Sequence, residues 1–234
     1  MLDMGFSDDI MQIVKYLPKE RQTIMFSATM PTKIQQLAKT ILHDPVEVKL
    51  AVSKPAEKII QAAYICYEAQ KLGIIQSLFQ SQQPERVIIF ASSKLKVKEV
   101  TKALKRMKLN VGEMHSDLEQ SQREEIMHEF RNRRIDILVA TDIVARGIDI
   151  DDIRLVINYD VPHDSEDYVH RIGRTARANN DGCAITFVSE TEQTRFKQIE
   201  TFLGKDIYKL PVPEELGEGP YMLPALPEKK EVNR

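Results

Sequence analysis

From Gln61 onward, short apolar strands alternate with amphipathic helices, and this alternation restricts the fold more than any other feature of the sequence. Val87–Ala91 is an uninterrupted apolar run of strand length, and a helix carrying Val97, Val100 and Leu104 follows it. Further strands are predicted at 62–67, 110–114, 135–140, 155–158 and 184–188. Apolar strands that alternate with helices imply right-handed crossovers and a parallel sheet covered on both faces. The predicted fold is therefore α/β with three layers.

The first 48 residues carry a smaller pattern of the same kind. A helix is predicted from Ser7 to about Leu17, a short strand at Thr23–Phe26, and a second helix from Pro31. After Asp44 the pattern loosens, and only 46–48 is strand-like. This piece is too small to close its own core. The predicted division is a fragment at 1–48, a linker at 49–60, the main domain at 61–210 and an extended or disordered tail at 211–234.

Charge and cysteine content limit the environment and the partners. The chain has 33 basic and 35 acidic residues and a formal net charge of −2, so any polyanion must be bound by a local patch. Two cysteines, Cys66 and Cys183, argue against a zinc knuckle or a disulfide framework and suit a reducing cytosol. No apolar run has membrane-spanning length, and the first residues do not resemble a secretory signal. A cytoplasmic protein without a membrane partner is expected, and nothing indicates an oligomer.

An arginine row at 170–177 is the strongest functional pattern. Arg171, Arg174 and Arg177 are spaced by three residues, with His170 at the head of the row and Gly173 inside it. On a helix, positions three apart share a face, so three guanidinium groups would point the same way. Such a row favours phosphate as its ligand, although a solvated basic face is the simpler alternative.

Polar residues also follow the predicted strands, where α/β sheets place their ligand contacts. Hydroxyl groups, amides and arginines at one sheet edge suit a sugar–phosphate backbone. Asp149, close after Gly147, suits a ribose hydroxyl. Each residue alone could equally be a helix cap or a turn. The strand-end residues are Ser27, Thr29, Ser92, Ser93, Lys94, His115, Ser116, Asp117, Gln120, Arg123, Thr141, Asp142, Arg146, Gly147 and Asp149.

In their order and spacing these residues resemble the second RecA-like lobe of a DEAD-box RNA helicase, preceded by the end of the first lobe. Ser27-Ala28-Thr29 is similar to the Ser-Ala-Thr motif of that family, and Gln120-x-x-Arg123 to its Gln-x-x-Arg motif. Residues 87–93, 141–149 and 170–177 resemble the fourth, fifth and sixth motifs of that family, in that order. The resemblance runs from Met1 to about Leu210. It implies a RecA-like parallel sheet preceded by an incomplete remnant of a second RecA-like lobe.

The resemblance also implies roles for individual residues. The protein would be an ATP hydrolase that opens short RNA duplexes locally, with ATP and Mg²⁺ as its cofactors and RNA and the N-terminal lobe as its partners. Arginine fingers of this kind contribute a factor of roughly 10³–10⁵ to phosphoryl transfer. The implied sites are catalytic Arg174 and Arg177; ATP-binding Gly147, Asp149, Arg174 and Arg177; RNA-binding Ser92, Gln120, Arg123, Thr141 and Arg146; and interlobe Ser27, Thr29, His170 and Arg171.

The sequence departs from the family pattern in three respects. Ala176 and Ser116 stand where the family usually has glycine, and these are mild changes. The third is larger, because the 234 residues contain neither a Gly-x-x-x-x-Gly-Lys-Ser/Thr phosphate loop nor an Asp-Glu-Ala-Asp motif. The chain alone is therefore expected to be inactive, with the metal ligands lying outside it. Two alternatives stay open: a free-standing, non-catalytic module that binds RNA or a partner, and part of a DNA-directed relative.

Overall fold

The computed structural model describes residues 7–26, 32–48, 59–81, 83–142, 152–175 and 182–223. The chain divides into two compact units, Met1–Ser53 and Lys54–Arg234. Among the described residues, no helix combines the length and the apolar character needed to cross a membrane.

The described residues of the first unit form two helices, α1 (Ser7–Lys15) and α2 (Thr32–Ile41). The apolar stripe predicted for α2 is largely buried, since Ile34, Ala38 and Ile41 are each less than 10% exposed. The strands predicted at 23–26 and 46–48 are wrong. Phe26 is 94% exposed and Val46 is 91% exposed, and neither segment pairs with a strand. A strand needs a neighbour to satisfy its backbone hydrogen bonds, and the described part of this unit offers none.

The second unit is built on one seven-stranded parallel sheet in the order β3-β4-β2-β5-β6-β1-β7. Strand β1 begins at Ile59, inside the predicted linker. The sheet confirms the predicted RecA-like α/β fold. Its strands are β1 (Ile59–Ile65), β2 (Val87–Phe90), β3 (Val111–Met114), β4 (Ile137–Ala140), β5 (Leu155–Asn158), β6 (Gly182–Val188) and β7 (Tyr208–Leu210).

Helices cover both faces of the sheet and produce two hydrophobic cores. Alternate residues of β2 point to opposite faces, so that Ile88 and Phe90 belong to one core and Val87 and Ile89 to the other. Buried side chains of α3 and α4 pack in the second core, and those of α5, α6 and α7 pack in the first. The helices are α3 (Lys71–Ser81), α4 (Lys94–Arg106), α5 (Gln120–Arg131), α6 (Ser165–Ile172) and α7 (Gln193–Leu203).

Local sequence signals explain where several of these helices start and stop. The Ser93 hydroxyl accepts a hydrogen bond from the Lys96 amide at the start of α4, and the Asp164 carboxylate accepts one from the Asp167 amide at the start of α6. Gly204 ends α7 in the left-handed region at φ 67°. Helix α4 begins shortly after the end of β2, and helix α6 begins after the end of β5.

The described part of the tail predicted to be extended or disordered, 211–223, packs against the domain. The Gln70 side-chain amide donates to the carbonyl oxygens of Leu216 (2.9 Å) and Glu218 (3.1 Å). Leu216 also covers Gly73, where an added Cβ would lie 2.6 Å from its Cδ2 atom. Strand β7, which precedes this segment, has only three residues, too few for a periodic signal in the sequence.

Candidate functional site

The carboxyl ends of four neighbouring strands form one continuous edge, and the candidate site lies there. The Thr141 amide donates to Met114 O (3.2 Å), which joins the ends of β4 and β3. The Ala91 amide donates to Ala140 O (3.0 Å), which joins β2 to β4. The Tyr159 amide donates to Phe90 O (2.9 Å), which joins β5 to β2. Neighbouring strands lie about 4.8 Å apart, so the loops that leave these four strands begin side by side.

Half of the predicted site residues can be placed. Ser92, Gln120 and His170 are exposed, Arg123, Thr141 and Arg174 are half-buried, and Arg171 is buried. Ser92 follows β2 and Thr141 follows β4, so the structure brings these two next to each other. Ser27, Thr29, Arg146, Gly147, Asp149 and Arg177 lie outside the described residues.

The loop after β3 is bound to the start of α5 by Arg123. Its Nη2 atom donates to the Ser116 carbonyl oxygen at 3.2 Å, while its Nε atom is buried without a hydrogen-bond partner. The Gln120 side chain donates to Glu124 one helical turn later, at 2.9 Å. Both members of the predicted Gln-x-x-Arg pair therefore sit at the first turn of α5, close to the ends of β3 and β4.

The same loop is bound to α4 on its other side. Asp117 accepts hydrogen bonds from Lys94 (2.7 Å) and Lys98 (2.9 Å), and these two lysines lower the pKa of Asp117 to about 2. The Asp117 amide donates to Nδ1 of the buried His115 at 3.3 Å. The loop after β3 is thus held by two helices and by its own histidine.

Arg171 and Arg174 do not share one helix, although their spacing predicts a helical row, and Arg177 lies outside the described residues. Helix α6 ends at Ile172, and Gly173 donates its amide to Val169 O at 2.8 Å as the helix closes. Thr175 then forms an isolated parallel bridge with Ile153, and its hydroxyl donates to the Ile153 carbonyl oxygen at 2.7 Å. Arg174 therefore lies in a turn between the end of α6 and this bridge, off the helix that carries Arg171.

Arg171 is a buried structural centre of the sheet edge. Only 3% exposed, it forms a bidentate pair with Asp142, with both nitrogen–oxygen distances at 2.6 Å. Its third nitrogen donates to Asn158 Oδ1 (3.2 Å) and to Asp160 O (2.9 Å). Because Asp142 follows Thr141 directly, Arg171 holds the loop after β4 against the end of β5.

Sequence reasoning missed a second buried charge cluster at this edge. The Lys71 ammonium group is completely buried and lies 2.8 Å from Glu68, 3.2 Å from Asp160 and 3.1 Å from Glu192. Lys96 adds contacts to Glu68 (2.6 Å) and Asp160 (2.5 Å). Lys71 occupies the space between three carboxylates that could otherwise suit a cation.

The pKa shifts of Asp160 and Lys71 both favour the charged form. Burial alone would raise the pKa of Asp160, but Lys71, Lys96 and the Ser92 amide lower that pKa to about 2. Burial alone would lower the pKa of Lys71, but Glu192, Asp160 and Glu68 raise it above its usual value. An open cavity of about 340 Å³ adjoins the cluster and reaches from Ser92 to Arg195.

Two family models match the sequence of this chain. The model for the helicase conserved C-terminal domain matches residues 70–179, and the DEAD/DEAH box helicase model matches residues 1–37. The second match covers all of α1 and the first part of α2.

Curated relatives match almost the whole chain. An ATP-dependent RNA helicase CshA from Listeria monocytogenes is 39% identical over 214 residues, which cover 91% of this chain and 41% of that protein. The ATP-dependent RNA helicase DbpA from Bacillus subtilis is 38% identical, covering 92% of this chain and 45% of that protein. The chain thus spans less than half the length of these relatives.

Solved structures give the same result. Dbp5 from S. cerevisiae, bound to RNA and ADP BeF3, is 30% identical with a TM-score of 0.80, covering 90% of this chain and 56% of that chain. The E. coli DEAD-box protein SrmB, in a complex with the regulator RraA, is 31% identical with a TM-score of 0.65, covering 73% of this chain and 99% of that chain. The parallel sheet, the strand-end residues and these matches together show that the chain belongs to the DEAD-box helicase family.

Proposed function

We propose that this chain is part of an ATP-dependent RNA helicase that unwinds or remodels short RNA duplexes. In this proposal it supplies the arginine side of an ATP site and one half of an RNA-binding cleft. The observation that carries the proposal is the continuous edge of β3, β4, β2 and β5, where backbone hydrogen bonds of 2.9–3.2 Å hold side by side the strand ends that Ser92 and Thr141 follow.

The RNA half of the proposal rests on neutral donors and one arginine. Ser92 and Thr141 lie just after the ends of the adjacent strands β2 and β4. Gln120 and Arg123 lie at the first turn of α5. Hydroxyl, amide and guanidinium groups bind phosphate oxygens and ribose 2′-hydroxyls without selecting a base. We therefore expect RNA to be bound through its backbone, with little sequence preference, and Arg146 to add a further contact.

The ATP half rests on how the end of α6 is anchored. The Thr175–Ile153 bridge fixes the turn that carries Arg174 beside the start of β5, only a few residues after Gly147 and Asp149 in the sequence. In support of a nucleotide site, Ile153, which is bridged to the residue after Arg174, follows the predicted ribose-binding Asp149 by four residues in the sequence. Arg174 and Arg177 would stabilise charge on the γ-phosphate, and Gly147 and Asp149 would hold the ribose.

Catalysis requires groups that these 234 residues do not contain. ATP with Mg²⁺ needs a phosphate loop with its lysine and the acidic metal ligands, which we assign to an N-terminal RecA-like lobe. Ser27, Thr29 and His170 would couple the two lobes. Arg171 would take part in this coupling indirectly, because its own donors are engaged by Asp142, Asn158 and Asp160. Residues 1–48 would belong to the first lobe, 49–58 to the linker and 59–210 to the second lobe, since β1 begins at Ile59.

Complementation with a first lobe tests this proposal. The chain is assayed for RNA-stimulated ATP hydrolysis alone and after its second lobe has been joined to the N-terminal lobe of a CshA relative. We expect no turnover from the chain alone and RNA-stimulated turnover from the joined protein.

Three other outcomes would contradict the proposal in different ways. Turnover by the chain alone would show that the first lobe is dispensable. RNA binding without any ATPase in the joined protein would favour the free-standing, non-catalytic module. Equal stimulation by single-stranded DNA and RNA would favour a DNA-directed relative.

A further inference from the structure

The buried charge cluster joins the carboxyl ends of four strands. Glu68 and Lys71 follow β1, Lys96 stands on α4 after β2, Asp160 follows β5, and Glu192 follows β6. We call this set of five side chains the strand-end charge cluster. Its side chains at the centre are almost inaccessible to solvent, with exposures of 0% for Lys71, 3% for Asp160 and 6% for Glu192.

The carboxylates of the strand-end charge cluster also bind backbone amides of the loops around them. Asp160 Oδ2 accepts from the Ser92 amide at 2.7 Å, which is the shortest of these contacts. Glu192 accepts from the Val161 amide at 3.0 Å and from the Ser189 amide at 3.1 Å. The loops after β2, β5 and β6 are thus held by charged acceptors that are themselves held by Lys71.

A buried charge cluster contributes little net stability by itself. Burying ions requires dehydrating them, and their mutual attraction often only offsets that cost. Buried ionic groups of this kind can favour a single arrangement of the chain over its alternatives. Here the selected arrangement is the direction of the loop after β2, because Asp160 binds the Ser92 amide on one oxygen and both lysines on the other.

Ser92 is the point where this cluster meets the proposed RNA surface. Its side chain is exposed, next to Thr141 on the neighbouring strand end, while its amide is engaged below the surface by Asp160. The ring of Tyr159 lies 5.2 Å from the Lys71 ammonium and 5.9 Å from that of Lys96, and it closes the cluster beneath the same loop.

We propose that Asp160, held by Lys71 and Lys96, is a positioning residue that fixes the Ser92 loop in the orientation that binds an RNA backbone. The inference rests on the proposed function, since Ser92 is taken as an RNA contact. Asp160 does not touch the RNA in this account. It acts through the Ser92 amide, so its loss disturbs RNA binding without removing any group that contacts RNA.

The test compares two neutralised acids in the full 234-residue chain. Asp160→Asn keeps the shape of the side chain but removes the charge that holds the Ser92 amide. Glu200→Gln is the matched control, because Glu200 is also buried, also binds two lysines, and also accepts from a backbone amide, that of Ile207 at 2.8 Å. Glu200 lies near the end of α7 and binds the segment that leads into β7, away from the end of β2.

Two readouts are measured on each protein. Hydrogen exchange at the Ser92 amide is followed by nuclear magnetic resonance, and a polyuridine strand is titrated while amide shifts are monitored. We expect Ser92 exchange to accelerate at least tenfold in Asp160→Asn, because a charge-assisted hydrogen bond is lost, and RNA affinity to fall about tenfold. Glu200→Gln should leave both values within about twofold of the unchanged chain, although its global stability also falls.

Each other result overturns the proposal. Unchanged Ser92 exchange in Asp160→Asn shows that Asp160 does not hold the loop. Faster exchange with undiminished RNA affinity shows that the loop's orientation is irrelevant to binding. An equal loss of affinity in Glu200→Gln assigns the effect to general stability. If the unchanged chain itself does not bind polyuridine, the RNA half of the proposed function fails, whereas the Ser92 exchange rates still decide whether Asp160 holds the loop.

A second variant keeps the test decisive if Asp160→Asn does not fold. Lys96→Met removes one cation from Asp160, and the half-exposed position of Lys96 leaves no enclosed cavity behind. We expect a smaller acceleration of Ser92 exchange, of about threefold, because Lys71 still binds Asp160. No acceleration in this variant would also overturn the proposal.

Discussion

Replacing Lys71 by methionine should destabilise the second unit strongly. The substitution keeps an unbranched side chain of similar length but leaves the carboxylates of Asp160 and Glu192 buried without the ammonium that both contact, at 3.2 and 3.1 Å. Breaking a buried pair by removing one partner costs about 3–5 kcal/mol. We expect about 3 kcal/mol, the lower end of this range, because Asp160 keeps Lys96 and Glu192 keeps Arg195 at 3.5 Å.

Urea unfolding followed by far-ultraviolet circular dichroism measures this loss, since the chain contains no tryptophan. With a slope of about 2 kcal/mol per molar urea, the midpoint should fall by about 1.5 M. Lys98→Met is the matched control, because Lys98 pairs with Asp117 on the surface and is 46% exposed. Its cost should stay below about 1 kcal/mol.

A triple variant tests the electrostatic reason for the loss. Adding Asp160→Asn and Glu192→Gln to Lys71→Met removes the uncompensated charges, and we expect at least half of the lost stability to return. A Lys71→Met protein within about 1 kcal/mol of the unchanged chain would refute the reasoning, because the cluster would then not depend on its central cation. A triple variant less stable than Lys71→Met would refute the charge argument specifically.

Three further predictions concern stability. The pKa of Asp160 is lowered to about 2 in the folded chain, so this carboxylate should contribute about 2 kcal/mol to stability above about pH 4 and lose that contribution as the pH falls towards 2. The urea midpoint, measured against pH, should therefore fall less steeply at acid pH for Asp160→Asn than for the unchanged chain. An equally steep fall in both proteins would contradict this. Arg171→Lys keeps the charge but loses the bidentate contact with Asp142, so thermal unfolding should show a free energy of unfolding lower by about 2–3 kcal/mol. An unchanged unfolding midpoint would show that a single ammonium group replaces the bidentate guanidinium contact. Gly204→Ala should cost about 1 kcal/mol through backbone strain alone, because φ is 67° and an added Cβ meets nothing within 4 Å; a more stable variant would disprove the strain.

The sheet could be predicted from the sequence because its strands are buried on both faces. An apolar run such as 87–90 leaves few alternatives to a central parallel strand, and the structure buries all four residues. The same signals fail at the margins. Phe26 and Val46 lie in strand-like segments, but strand formation depends on a neighbour that the local pattern does not report. Strand β7 has three residues and gives no period to detect.

The candidate site shows the same division between local and long-range information. Ser92 and Thr141 could be placed at one edge because parallel strands end together. The sequence could not show that Arg174 leaves the helix of Arg171, because the segment after α6 is bridged to Ile153, 22 residues away in sequence from Thr175. Lys71 left a weak signal, since it precedes Ile74, Ile75 and Leu78 on one helical stripe, where a lysine suggests a buried acidic partner.

We expect Arg174 to be the catalytic arginine of an ATP site completed by another lobe. RNA-stimulated ATP turnover is measured for the joined two-lobe protein carrying Arg174→Ala and for the same protein carrying Arg106→Ala, an exposed arginine of α4 that serves as the control. Arg174→Ala should lower turnover by roughly 10³-fold or more while ATP binding is largely kept, and Arg106→Ala should change neither. Turnover of Arg174→Ala within a few-fold of the Arg106→Ala value would contradict this expectation.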